Sequence, residues 1–517
     1  MVSEISSTEK PQVETRARLR ALDTPRLLFW TLVAGLFLLG LAVRMVDLTD
    51  QPLDFHPTRQ LRSAIIARGM YYQMLPGADQ QLRDLTFSHW ESTGQYEPSI
   101  LERIVALTYL AMGGENVWVA RIYNSLFWLI GAAAVFALAR RMTSNAGGAL
   151  ALGYYLLLPF GVQASRSFQP DPGMVMWIAL TTYTLYRWSE KQEWKWALWA
   201  GVLGGMAVVT KVVAAYIIAG AAIAMVLYAL GVKKALKSRQ VWSMVALMIA
   251  PTAIFYLGRG ARASEYFSSW TLSLSHLLLE PATYARWLSL VESLMGWAVL
   301  LLALVGVLIA RPRNRTLLLG LWVGYAVYGL FLPYQMYTHN YYHLQLIPII
   351  ALSLAVIGQD IAARFSEQGR LWQGLVMVVM VGALGYTSWL SIFPQIRDDY
   401  RHEPAYWAEI GSFLPDDGKI LALTQDYGYR IMYYGWRKVV MWPTRGEKRL
   451  AELRGKEKEF DDYFQKRIED KKYFLITAFN QFDDQPVLKE TLHERYPIYA
   501  QGPGYLIFDL QHPLPRQ

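Results

Sequence analysis

Three carboxylates, five cations and three histidines stand where the chain leaves its apolar stretches. The carboxylates are Asp54, Glu97 and Asp171. A positioned carboxylate takes a proton from a hydroxyl, so one of the three is a candidate general base. Lys211, Arg59, Arg166, Arg259 and Arg262 are the cations. Together they suit an anionic group, and a lysine ammonium is a compact point charge for phosphate. His56, His339, Tyr342 and His343 add hydrogen-bonding groups for a substrate. His339 and His343 are four apart, one helical turn, a spacing that admits a metal. No His-Glu-x-x-His pattern or local carboxylate joins them, so a divalent metal is possible but not required.

Each residue also has a plain structural reading. Asp54 suits the cap of a helix over 58–73, and Asp171 suits the cap of a span with Pro172 at its first position. Lys211 would snorkel from between two apolar runs. Arginines also gather at membrane surfaces without catalytic purpose. What favours function is the gathering. Asp54, His56, Arg59, Glu97, Asp171, Lys211, His339 and His343 all fall in loops or at span ends on one side. Ionisable groups at membrane depth are costly, and such clusters mark functional sites.

The elements that must position these residues follow from composition. The chain has 517 residues, 54% apolar and only 18% charged. An average soluble protein has roughly 25% charged residues. A multi-span helical membrane protein fits this composition, and a wholly soluble enzyme does not. The absence of cysteine excludes disulfides, thiolate metal sites and cysteine nucleophiles. Apolar stretches of spanning length predict eleven transmembrane helices near 26–46, 117–139, 147–164, 173–188, 195–210, 212–230, 240–257, 291–310, 316–333, 345–362 and 372–393.

With the N-terminus in the cytoplasm, the short inside loops hold fourteen Lys and Arg, and the short or medium outside loops hold five. That asymmetry satisfies the positive-inside rule and accounts for the net charge of +9 without nucleic acid. The N-terminal segment 1–25 is then cytoplasmic, a signal anchor at most. Residues 26–393 form the transmembrane module, with a first outer loop at 47–116. In that loop Pro57 starts a helix, and 61–73 reads as amphipathic, lying in the membrane interface. Residues 394–517 are an extracytoplasmic α/β domain. Its strand-like runs are Lys419–Thr424, Val439–Trp442, Tyr473–Thr477 and Tyr505–Phe508, with polar helices over 446–471 and 485–495.

Five segments now line up on the outer face: Asp54-Phe55-His56-Pro57-Thr58-Arg59-Gln60, Tyr96-Glu97-Pro98, Asp171-Pro172, Thr210-Lys211 and His339-Asn340-Tyr341-Tyr342-His343. In this order they resemble the GT-C superfamily of integral-membrane glycosyltransferases, above all the protein O-mannosyltransferase and lipid A aminoarabinose transferase group. The resemblance covers residues 26–230, and more weakly extends to 362. It implies a sugar donor carried on polyprenyl phosphate, transfer on the outer side of the cytoplasmic membrane, and an acceptor glycan, lipid or protein. It implies that Asp54 is the first-loop catalytic aspartate and Asp171 the second acidic position. Glu97-Pro98 stands where relatives have a Lys-Pro or similar pair. One departure is plain: aligned without a gap, Arg59-Gln60 falls on the family's Asp-Glu pair, and Asp54 reaches it only with a shift of five residues.

Displacement at an anomeric carbon needs a base for the acceptor hydroxyl and cations for the leaving phosphate. Asp54 is the expected base, and Lys211 with the arginines the expected phosphate site. A lipid or sugar transporter is the alternative. It predicts internal repeats and polar residues near the bilayer midplane, and the sequence has neither.

Overall fold

The computed structural model describes residues 10–94, 97–257, 268–456 and 459–515, with side chains from Arg26 onward. The chain opens with a long helix, α1 (Lys10–Met45). Three helices follow outside the main bundle: α2 (Pro57–Met74), α3 (Gln80–Ser92) and α4 (Ile100–Met112). The bundle continues with α5 (Trp118–Met142), α6 (Asn145–Leu157), α7 (Pro159–Ser165), α8 (Asp171–Lys191), α9 (Trp194–Thr210), α10 (Ala214–Ala235) and α11 (Arg239–Leu257). Beyond a 3-10 turn at Leu272–Leu279 come α12 (Pro281–Met295), α13 (Trp297–Ile309), α14 (Pro312–Phe331), α15 (Pro333–Thr338), α16 (Leu346–Ser366) and α17 (Arg370–Arg397).

Every apolar stretch picked out in the sequence is helical, but the count of eleven spans is not confirmed. By length and composition six helices suffice to cross a membrane, or up to eight if two bent pairs each count as one span. The reasons are local. Helix α9 has 17 residues, short of the ~20 a span needs. Helix α8 contains Asp171, Arg187, Glu190 and Lys191, and α14 contains Arg313 and Arg315. The expected spans 147–164 and 291–310 are each broken. Pro159 lacks an N–H to continue α6, and the chain turns by 59° into α7. Gly296 adopts φ 80°, a left-handed value open to glycine, and α12 meets α13 at 96°.

The bundle packs around an aliphatic core with Trp128 and Trp188 fully buried. Helices α10 and α14 touch backbone to backbone: a Cβ on Gly220 would lie 2.2 Å from the Gly320 carbonyl oxygen. Small residues permit such approach where no hydrophobic force favours helix association in lipid.

Helix α2 overturns one expectation. Pro57 does start it, but residues Gln60–Tyr71 are all buried, so it does not lie amphipathically on the membrane interface. Its polar side faces protein. Arg62 donates to the Gly94 carbonyl (2.8 Å), and Arg68 donates to Glu115 (2.8 Å) and to the Tyr433 carbonyl. Burying an arginine is tolerable when its donors are matched in this way.

The C-terminal domain begins with α18 (Glu403–Ser412) and carries α19 (Tyr429–Tyr434), α20 (Arg445–Leu453), α21 (Phe460–Ile468), α22 (Phe479–Asp483) and α23 (Pro486–Arg495). Its sheet has five strands: β1 (Ile420–Leu423), β2 (Val440–Met441), β3 (Tyr473–Ile476), β4 (Ile498–Gly502) and β5 (Tyr505–Asp509), in the order β2-β1-β3-β5-β4. The first three are mutually parallel, and β4-β5 is an antiparallel hairpin. Strand β4, absent from the sequence reading, is mostly exposed and has no apolar alternation to betray it. The expected single helix over 446–471 is two, because Gly455 takes φ 63° after α20. The domain docks on the membrane module through α19, where Arg68 stacks 3.7 Å from the Tyr433 ring.

Candidate active site

The segment 47–60 enters α2 from α1 and places consecutive residues of one helical turn at two different carboxylate centres. At the N-cap position His56 has φ 48°, with no side-chain cap bond, so Asp54 is not the cap of this helix.

Gln60 reaches the first centre. Its Nε2 donates to Asp54 Oδ1 at 2.9 Å, while its Oε1 accepts from the Phe168 N–H at 2.9 Å. Asp54 also faces Arg121 at 3.2 Å and Arg166 at 4.0 Å. Arg121 is buried and donates to the carbonyls of Leu48 (2.8 Å), Asp50 (2.8 Å) and Gln51 (3.0 Å). Arg166 bonds the Asp47 carbonyl at 2.9 Å and the Gln395 side chain. Burial alone would raise the Asp54 pKa. Arg121, Arg166 and Gln60 outweigh it and hold the carboxyl below the ordinary range. Burial in turn lowers Arg166, which Asp54 partly offsets, to about 10. The Asp54 side chain keeps 18% of its surface exposed, against 1% for Asp171.

Arg59 reaches the second centre. It lies 3.3 Å from Glu97 and 4.0 Å from Asp171. Arg62 is 3.9 Å from the other Glu97 oxygen. Asp171 opens α8 and accepts a 2.7 Å hydrogen bond from Lys211, which sits in the break between α9 and α10. Its carboxylate therefore serves Lys211 and not the helix cap. The Lys211 ammonium stands 4.9 Å from the centre of the Tyr341 ring and 5.1 Å from that of Tyr342. Arg59 approaches the same Tyr341 ring at 5.5 Å. His56 bonds Asn340 at 2.5 Å, which ties the first loop to the 338–343 turn. Burial would raise Glu97, but Arg59, Lys211 and Arg62 hold it below the usual carboxylate range. Burial lowers Lys211, with Asp171 in opposition. It also lowers His56, and pushes His339 down to about 4.

The structure thus brings together Arg59, Glu97, Asp171, Lys211, His56 and Tyr342, and links them through Gln60 to Asp54 and Arg166. His339 stands beside them, its ring 5.5 Å from Tyr341 and its Nδ1 2.7 Å from the Thr338 hydroxyl. His343 is different. Both its ring nitrogens are engaged by protein, Nδ1 with the Tyr325 hydroxyl (2.7 Å) and Nε2 with the Met336 carbonyl (2.9 Å). It supports the turn from behind. Arg259 and Arg262 lie outside the described residues. Sequence reasoning missed Arg121, Asn340 and the contact role of Gln60. Arg121 was detectable as a lone charge at the head of a long apolar stretch.

Among the described residues no group of three His, Asp or Glu side chains is placed to hold a metal ion. Glu97 and Asp171 are already engaged by Arg59, Arg62 and Lys211. These residues do not fit a metal.

Comparison with known proteins bears on the same region. Residues 100–257 match the family model described as dolichyl-phosphate-mannose-protein mannosyltransferase. The whole chain resembles a crystal structure of ArnT from Cupriavidus metallidurans bound to undecaprenyl phosphate, with TM-score 0.55 and 15% identity over 94% of this chain and 98% of that one. It also resembles the archaeal oligosaccharyltransferase AglB from Archaeoglobus fulgidus in complex with an inhibitory peptide and a dolichol-phosphate, with TM-score 0.53 and 11% identity over 92% of this chain and 73% of that one. No curated protein sequence matches the chain. The resemblance to GT-C glycosyltransferases carried by the sequence motifs therefore extends to the fold of nearly the whole chain.

Proposed function

We propose that this multi-pass membrane protein of GT-C glycosyltransferase fold moves a sugar from a polyprenyl-phosphate carrier to an acceptor hydroxyl on the outer side of the cytoplasmic membrane. The observation that carries the reading is the convergence of Lys211 and Arg59 on one tyrosine ring, a helical step from the residue that holds Asp54. Two cations close to one aromatic ring suit a phosphate that gains charge as its bond to the sugar breaks. In this reading the acceptor oxygen attacks the anomeric carbon and gives its proton to Asp54. The bond from that carbon to the phosphate oxygen breaks, and its electron pair stays on the phosphate, held by Lys211 and Arg59.

Asp54 is the favoured base because it is the more exposed of the two aspartates and is kept ionised by Arg121, Arg166 and Gln60. Asp171 sets the height and direction of Lys211, and Glu97 does the same for Arg59. Lys211 and Arg59 supply the positive charge that a divalent metal would otherwise bring. The acceptor is a glycan, a lipid or a protein.

Mass spectrometry of lipids that copurify with the wild type and with Asp54→Asn tests the reading. The expected result is a polyprenyl-phosphate sugar retained by the variant and mainly bare polyprenyl phosphate in the wild type. Absence of any polyprenyl lipid from both, with other lipids retained, would overturn it.

A further inference from the structure

A second cationic surface lies apart from the site, where the C-terminal domain meets the bent pair α12 and α13. These two helices meet at 96°, so an α13 aligned with the membrane normal sets α12 in the plane of the membrane surface. Trp287 pins α12 in place. Its Nε1 donates to the Tyr325 hydroxyl at 3.1 Å, and its ring lies so close to α14 that a Cβ on Gly329 would fall 2.0 Å from it. The 3-10 turn before α12 exposes Leu272 and Leu279, the latter by 88%.

An aromatic strip begins next to this turn. Trp270 and Tyr334 have ring centres 6.2 Å apart, and Tyr334 and Tyr337 5.5 Å apart. Arginines from two distant parts of the chain cover it. Arg286 of α12 stands 5.6 Å from the Tyr337 ring. Arg454, just past α20, stands 4.6 Å from the Trp270 ring and donates to the Ser269 carbonyl at 2.7 Å. Its Nε finds no acceptor among the described residues. Arg449 lies on α20, five residues before Arg454. Arg286 and Arg449 are exposed. Among the described residues Glu280 is the acid near Tyr337, and Glu447 and Glu452 share α20 with Arg449.

Exposed leucines, aromatic rings and arginines gathered around one interfacial turn are the groups a bilayer surface takes up: chains, interface, headgroups. We propose that Arg286, Arg449 and Arg454 bind the phosphate headgroups of anionic membrane lipids and so seat the C-terminal domain on the bilayer. The partner follows from charge complementarity, and the exposed leucines suit the apolar side of the same surface. This proposal stands independently of sugar transfer. Helix α15 links the strip in sequence to His339.

The test uses the full chain in nanodiscs of phosphatidylcholine, with and without phosphatidylglycerol. Native mass spectrometry counts retained phosphatidylglycerol, and hydrogen exchange follows residues 445–456. Phosphatidylglycerol is expected to be retained and to slow exchange in α20, with both effects reduced in high salt. Arg286→Gln and Arg449→Gln should each lower retention about five-fold, as one surface arginine contributes. Arg286→Lys and Arg449→Lys should preserve it. Equal retention and equal exchange in the wild type and the double Gln variant would overturn the proposal. Because neither readout involves transfer, failure here leaves the glycosyltransferase reading intact, and the converse also holds.

Discussion

Asp54 and Asp171 are served by consecutive residues of α2, yet their surroundings differ in kind. Around Asp54 the cations are arginines with other duties. Arg121 holds three carbonyls of the 48–51 segment while it faces the carboxylate, and Arg166 holds the Asp47 carbonyl and Gln395. Both are tied to the 47–51 segment. Around Asp171 the near cation is a lysine, whose hydrogen bond is to Asp171 and whose ammonium otherwise faces two rings. An ammonium has three donors, so Lys211 can take a phosphate oxygen and keep Asp171. One centre is a fixed frame around a carboxylate; the other is a charge held ready for exchange. In the proposed reaction the fixed frame suits a base whose ionisation must not vary, and the ready charge suits a leaving group that arrives and departs.

The sharpest way to break this comparison is to neutralise each aspartate. Asp54→Asn is expected to lower turnover by about 10²–10⁴, the usual loss when a general base is removed. Asp171→Asn should leave measurable turnover and raise KM for the donor, because Lys211 keeps its charge but loses its fixed direction. Steady-state kinetics with a polyprenyl-phosphate sugar decides. A reversed order would make Asp171 the base and Asp54 the structural partner.

The next effect is on stability. Arg121→Ala leaves Asp54 without its nearer cation and three carbonyls without their donor. Removing one partner of a buried pair costs about 3–5 kcal/mol. A melting temperature in detergent should fall accordingly, and the double variant Arg121→Ala with Asp54→Ala should recover part of the loss. No change in melting would show that the frame around Asp54 bears no structural load.

The two centres also differ in how far the sequence disclosed them. Asp171, Lys211, Glu97 and Arg59 stood out because each is a charge at the end of an apolar stretch, next to a proline or a loop. Their mutual contacts did not, since they come from α2, the 93–99 loop, α8 and the α9–α10 break, and no period links those. Arg121 was passed over because a long apolar span masks one charge at its head. Helix α2 was misread for the opposite reason. Its arginines suggest water or headgroups, while Gly94, Glu115 and the C-terminal domain in fact accept from them. Burial by a distant domain leaves no local pattern. The spans themselves were legible as helices, but Gly296 was read through as apolar when its left-handed backbone breaks the helix.

The smallest expected effect separates His339 from the charged centre around it. Burial, with His56, Arg59 and Lys211 nearby, depresses its pKa from 6.5 to about 4. Between those values the unfolded chain binds a proton that the folded site refuses. Stability should therefore fall as pH drops from 6.5 toward 4, and be unaffected by this group above 6.5. His339→Gln removes the refused proton, so the variant's melting temperature should decline less than the wild type's across that window. The same substitution should leave the Asp54 frame intact, because His339 makes no contact with Arg121 or Gln60 among its hydrogen bonds. Parallel melting curves for wild type and variant from pH 7 to pH 4 would mean that His339 accepts its proton in the folded protein. It would then have to be counted with Lys211 and Arg59 as a third charge facing the phosphate.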